Sequence, residues 1–241
     1  MFFQPQITPY DLTFRLFGFP IRVSPFFFLL TAILGWNFVK DGGFEYLFIF
    51  VACFFVSILV HELGHAFLFR VYNRDSHIWL LGFGGLAIPD GPLRNRQQRI
   101  IVSLAGPFAG FLLFGLVWWT DYATNWSRED PYLYFAYFIL FNVNLFLNLL
   151  NLMPIYPLDG GQVSRELFTG ASPHTGLRNS LMLSIGVALV MVVHGIMSAN
   201  GQPLIPYLNV GGYFMAMMFG LLAYENYMML EIVKRQDSQW R

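Results

Sequence analysis

The stretch Phe54–Tyr72, FFVSILVHELGHAFLFRVY, is apolar enough to lie in lipid, yet it carries two histidines and a glutamate at its middle. An ionisable side chain near a bilayer centre costs at least about 2–3 kcal/mol, so such residues face the protein interior and mark function. On a helix, His61 and His65 are four residues apart and stand one above the other, so both can present an imidazole nitrogen to one metal ion. Glu62 projects about 100° round from His61, near enough to act on a metal-held water without ligating the metal. This is the H-E-x-x-H zinc pattern, in which the glutamate is the general base. Two histidines leave a catalytic zinc one protein ligand short.

The surroundings of that stretch are those of a membrane protein. Of 241 residues, 56% are hydrophobic and 12% charged, against roughly 25% charged in an ordinary soluble domain. The formal net charge is zero, so nothing draws the chain to nucleic acid. The single cysteine, Cys53, excludes an internal disulfide. The start MFFQPQITPYDLTFRLFG lacks the pattern of a removable signal peptide, so the apolar segments are expected to direct insertion.

Apolar runs long enough to cross about 30 Å of hydrocarbon fall at 23–39, 45–70, 99–119, 133–154, 179–198 and 207–230. The expected fold is an all-α polytopic membrane protein of about six transmembrane helices, one integral domain over residues 1–241. Between the second and third runs, HIWLLGFGGLAIPDGPLRNR is too short and glycine-rich for another crossing. Its β-prone residues flank Gly82, Gly84 and Gly85, which predicts a membrane-associated β-hairpin over 78–89, where non-helical backbone is tolerated against protein. With six spans, twelve of the fourteen Lys and Arg fall on one side, and only Lys40 and Arg128 on the other. The positive-inside rule then puts both termini in the cytoplasm.

The third ligand is sought at residues 148–161, NLLNLMPIYPLDGG, where the fourth run closes. Pro154 and Pro157 stop the helix, while Gly160 and Gly161 allow tight turning around Asp159. In the six-span topology the second and fourth runs share a direction, so Asp159 can converge with His61 and His65 on the cytoplasmic side.

HELGH at 61–65 together with NLMPIYPLDGG at 151–161 resembles the site-2 protease family of intramembrane zinc metalloproteases. The segments RLFGFPIRVSPFFFLL, GFGG and SLAGP, at 15–30, 82–85 and 103–107, look like family features too. The resemblance implies about six spans around one zinc ion per chain, in a prokaryotic cell membrane. It implies cleavage within or near the transmembrane segment of a membrane-protein substrate. By motif position His61, His65 and Asp159 are the implied zinc ligands and Glu62 the catalytic residue, with Asn151 positioning the substrate carbonyl or its oxyanion. Two departures stand out. Gly110 occupies the place where many relatives carry Asn in G-P-x-x-N, and the chain has no room for a PDZ or CBS domain.

A helical substrate must unwind locally before water can attack, and the hairpin edge is expected to receive it by strand addition. Ala105, Gly106, Ala109 and Gly110 read as a packing stripe and not as an active-site signal, and Pro107 as a kink. His194 reads as a structural hydrogen-bonding group, His77 and His174 as ordinary surface residues. Glu225 is an intramembrane carboxylate and hence a site candidate, unless the interface solvates it. The rival classes are a membrane metal-ion transporter and an inactive scaffold that binds transmembrane helices. Glu62 speaks against both, because a transport site needs no base beside the metal and all four chemical residues are present.

Overall fold

The computed structural model describes residues 8–82, 84–172, 175–205 and 211–239. His174, Phe83 of the GFGG motif, the start of the sixth apolar run and Arg241 lie outside them. The chain divides into two compact units, Met1–Leu149 and Leu150–Arg241.

The first unit opens with two strands, β1 (Leu12–Leu16) and β2 (Phe19–Val23), followed by the helices α1 (Pro25–Leu34), α2 (Trp36–Gly42) and α3 (Phe44–Val71). Strands β3 (Ser76–Leu81) and β4 (Gly84–Pro89) come next, then helices α4 (Arg96–Thr124) and α5 (Pro131–Asn151). The expected hairpin is present as β3 and β4, whose antiparallel register runs from Ser76 opposite Pro89 to Leu81 opposite Gly84. It belongs to a larger sheet of order β1-β2-β3-β4. The strand pair β1 and β2 was not anticipated as such. It turns through Phe17 and Gly18, both at positive φ, as a two-residue hairpin turn of matching twist requires. β2 then pairs in parallel with β3, Ile21 opposite Ile78.

Side chains alternate across this sheet. One face, with Phe19, Ile21, Val23, Ile78 and Leu80, packs on Phe27 of α1 and on Ile58, Leu59, Leu63 and Ala66 of α3. The sheet therefore braces the turn of α3 that carries the histidines. On another side α3 meets α4 closely: a β-carbon on Gly64 would run into the Ala105 carbonyl and lie 2.8 Å from Ala109 Cβ. The small-residue stripe does allow close helix packing, as expected. α4 carries Pro107 in its interior without ending there.

Among the described residues, four helices are long and apolar enough to cross a membrane: α3, α4, α5 and α7 (Gly176–Ala199). The expected count of six is not reached by this measure. The run at 23–39 is split: Ser24 caps α1 through its Oγ, with Pro25 in the first turn, and α1 ends at Gly35. There a β-carbon would lie 2.5 Å from the Phe50 ring, so the chain comes too close to α3 for any larger residue. α1 has ten residues and α2 seven, each short of the ~20 a spanning helix needs. The last run belongs to α8 (Tyr213–Gln239), long enough at 27 residues, but Glu225 and Asn226 interrupt its apolar centre.

In the second unit, α6 (Asp159–Ala171) precedes α7 and α8. Ile155 packs with Ala188 and Met191 of α7 and with Met215, Phe219 and Ala223 of α8. The segment before α6 is tied to these helices. Tyr156 N–H donates to Ser184 Oγ (3.1 Å), Ser184 Oγ–H to the Pro154 carbonyl (3.2 Å), and Asn226 Nδ2 to the Tyr156 carbonyl (2.5 Å).

Candidate metal centre

α3 carries His61, Glu62 and His65, all buried. His65 Nδ1 lies 2.7 Å from the Val102 carbonyl, an obligate acceptor, so Nδ1 carries the proton. His61 Nδ1 lies 2.8 Å from Asn148 Oδ1. The Asn148 amide nitrogen donates to the Asn144 carbonyl, which makes Oδ1 the acceptor and gives His61 the same tautomer. In their neutral forms both rings therefore turn the Nε2 lone pair toward the other, 3.2 Å apart. Two lone pairs at that distance repel unless a proton or a cation sits with them. A neutral imidazole whose far nitrogen is fixed by a carbonyl is the usual form of a metal-bound histidine. The donor set thus fits zinc.

Three glycines shape the space around these groups. A β-carbon on Gly106 would lie 2.7 Å from His61 Nε2 and closer still to His65 Nε2. Gly106 is therefore more than a packing residue, correcting its expected role: it keeps room at the two metal-facing nitrogens. A β-carbon on Gly85 would lie 2.8 Å from Glu62 Oε1, so the backbone of β4 rests directly on the glutamate. A β-carbon on Gly110 would overlap the Asn148 amide. α4 offers no side chain at this place, and an amide from α5 fills the space.

Asn148 is the residue that sequence reasoning missed. Asn144 and Asn148 are fully buried and continue the line: Asn144 Nδ2 donates to Ser57 Oγ (2.9 Å), which donates to the Cys53 carbonyl (2.8 Å). The spacing of Asn144, Asn148 and Asn151, i, i+4 and i+7 on an apolar helix, was the available signal.

In the second unit Asp159 is buried at the first turn of α6, where the helix dipole favours a carboxylate. β-Carbons on Gly160 and Gly161 would strike the backbone of Leu152 and Ile155, so only glycine lets the chain fold back there. Asp159 thus offers a buried carboxylate donor in its own unit, as His61 and His65 offer two buried imidazoles in theirs. Asn151, the last residue of α5, is half-buried.

The remaining residues divide. His194 is fully buried and accepts from Ile205 N–H at Nδ1 (3.3 Å), the structural role expected. Glu225 is exposed on α8. His77 is not an ordinary surface residue. It is half-buried in β3 beside Trp79, ring centroids 5.6 Å apart. Burial, and then the Arg22 charge, lower its pKa.

The chain matches the family model described as peptidase family M50 over residues 49–126 and 121–193. It is 32% identical over 195 residues to a zinc metalloprotease of Methanocaldococcus jannaschii, covering 78% of this chain and 54% of that one. It is 31% identical over 156 residues to stage IV sporulation protein FB of Bacillus subtilis, covering 64% of this chain and 49% of that one. The chain thus spans about half the length of the curated relatives it matches. A solved structure of the site-2 protease from Methanocaldococcus jannaschii shares the fold, with a TM-score of 0.61 at 20% identity, over 91% of this chain and 94% of that one. An apolar polytopic chain, its H-E-x-x-H helix and the family match over most of its middle agree: this integral membrane protein belongs to peptidase family M50, the site-2 protease family of zinc metalloproteases.

Proposed function

We propose that the chain hydrolyses a peptide bond within or near the transmembrane segment of a membrane-protein substrate, with one zinc ion held by His61, His65 and Asp159. The carrying observation is the pair of opposed Nε2 atoms, 3.2 Å apart, on the same helix turn as a buried carboxylate one residue along. When bound, zinc polarises the scissile carbonyl and makes water nucleophilic near neutral pH. Glu62 takes the proton from the attacking water and returns it to the leaving amine. Asn151 donates its amide hydrogens to the developing oxyanion. The outer edge of β4, last in the strand order and resting on Glu62 through Gly85, receives the unwound substrate by strand addition.

The excess of Lys and Arg on one side supports an arrangement with both termini and the active-site side in the cytoplasm. The archaeal and bacterial sources of its relatives support a prokaryotic membrane. Reporter fusions after Arg74 are expected to read cytoplasmic, and a reading outside overturns that orientation.

The decisive experiment compares cleavage of a model transmembrane substrate in liposomes with metal analysis of the same preparations. Glu62→Gln is expected to keep about one zinc per chain and lose nearly all cleavage. Asn151→Ala keeps zinc and loses roughly a hundredfold in rate. Undiminished cleavage by Glu62→Gln sinks the mechanism, and loss of zinc in that variant sinks the assignment of Glu62 as a base.

A further inference from the structure

The sheet has a second face. Alternation puts Thr13, Arg15, Arg22, His77 and Trp79 opposite the core-facing residues, and the register places Thr13 beside Arg22 and Arg22 beside Trp79. These side chains, with Pro20, line an open hollow of about 590 Å³. Arg22 is held over the Trp79 ring, 5.4 Å from its centroid, and against Asp11, Nε to Oδ2 3.6 Å. The Asp11 carboxylate is shared with Thr8, which donates to it through both its backbone N–H and its hydroxyl. Arg15 stands exposed at the rim. His77 lies beside them, its pKa lowered by burial first and by the Arg22 charge second. On β4 the same face continues with Leu86, opposite Trp79, and Ile88, opposite His77. Leu86 is 49% exposed.

A cationic hollow therefore borders an apolar strip on a sheet whose other face is packed on a membrane helix. Guanidinium groups on such a face cannot rest in hydrocarbon. Tryptophan belongs to the level of the headgroups, and a planar guanidinium matches the oxygens of a phosphate. We propose that this outer face binds an anionic phospholipid of the surrounding bilayer, with Arg15 and Arg22 on the headgroup phosphate and Leu86 and Ile88 along the acyl chain. The lipid then lies on the strand that also borders Glu62. The proposal does not depend on the protease reading, because its test reads bound lipid and not cleavage.

The full chain is reconstituted in nanodiscs of equal phosphatidylglycerol and phosphatidylcholine, extracted gently, and its retained lipids are counted by native mass spectrometry. Phosphatidylglycerol is expected to be retained over phosphatidylcholine. Arg15→Gln/Arg22→Gln should lower that preference by about tenfold or more, at about 1 kcal/mol per cationic side chain near anionic lipid. Arg15→Lys/Arg22→Lys should retain part of it. Because Arg22 also holds Asp11, the exposed single variant Arg15→Gln serves where the double variant fails to fold, and it should lower the preference on its own. Equal retention of the two lipids by the wild type, or an unchanged preference in Arg15→Gln, overturns the proposal. So does glycerol phosphate in solution displacing nothing from the lipid-loaded protein while raising the melting temperature of lipid-free protein, which assigns the hollow to a soluble phosphate.

Discussion

Two buried polar clusters lie in this chain, and they are wired differently. Around Tyr156, the bonds of Ser184 and Asn226 end on backbone groups of the segment that leads into Asp159. Each bond fixes the path of the chain. Around His61 and His65, backbone and amide oxygens hold the outer ring nitrogens, and the inner ones are turned toward each other. The first cluster directs its side-chain donors to backbone carbonyls and so builds a scaffold. The second aligns two ring nitrogens at a separation suited to a shared cation. The contrast is between hydrogen bonds that fix the path of the chain and hydrogen bonds that aim a ring nitrogen.

The sharpest way to break the comparison is to remove a proposed zinc ligand. His65→Ala and Asp159→Ala are each expected to lose both bound zinc and cleavage while the helices persist in circular dichroism. Full zinc in either variant would falsify its place among the ligands. A milder test addresses Asn148. Asn148→Ala frees the His61 ring, and zinc affinity, read by competition with a chelator, should fall by about 10–100-fold. Gly110→Asn alone should clash with Asn148, whereas Gly110→Asn/Asn148→Gly returns an amide from α4 and should recover part of that affinity. No recovery would mean that the two positions do not substitute for one another. The smallest effect belongs to the scaffold cluster. Asn226→Ala removes its bonds to the Tyr156 and Leu222 carbonyls and should lower stability by about 1–3 kcal/mol, with zinc per folded chain unchanged. A selective loss of zinc there would erase the distinction between the clusters.

Much of this was legible because it rested on local rules. The i, i+4 histidines, the glycine-marked hairpin and the glycines after Asp159 each express a short-range geometric need. What escaped depended on partners distant in sequence. The apolar run at 23–39 looks continuous, and only the approach of Phe50 to Gly35 shows why it breaks there. The alternation of Thr13, Arg15 and Arg22 with Phe14, Ile21 and Val23 did hold a strand signal, masked by the density of Phe and Leu around it. Parallel pairing of β2 with β3 is a tertiary fact without any local mark. Asn148 was visible as a letter, but its role needed the knowledge that α5 faces His61 at the level where α4 offers no side chain at position 110.

That parallel pairing bears on how the protein is made. Ile21 meets Ile78 only after α1, α2 and the whole of α3 have been synthesised between them. The strand pair β1 and β2 is made before the histidine helix, and its pairing with β3 spans that helix in sequence, the kind of remote contact that forms late. Closure of the sheet thus depends on α3: β3 reaches β2 only once the helix between them has been made.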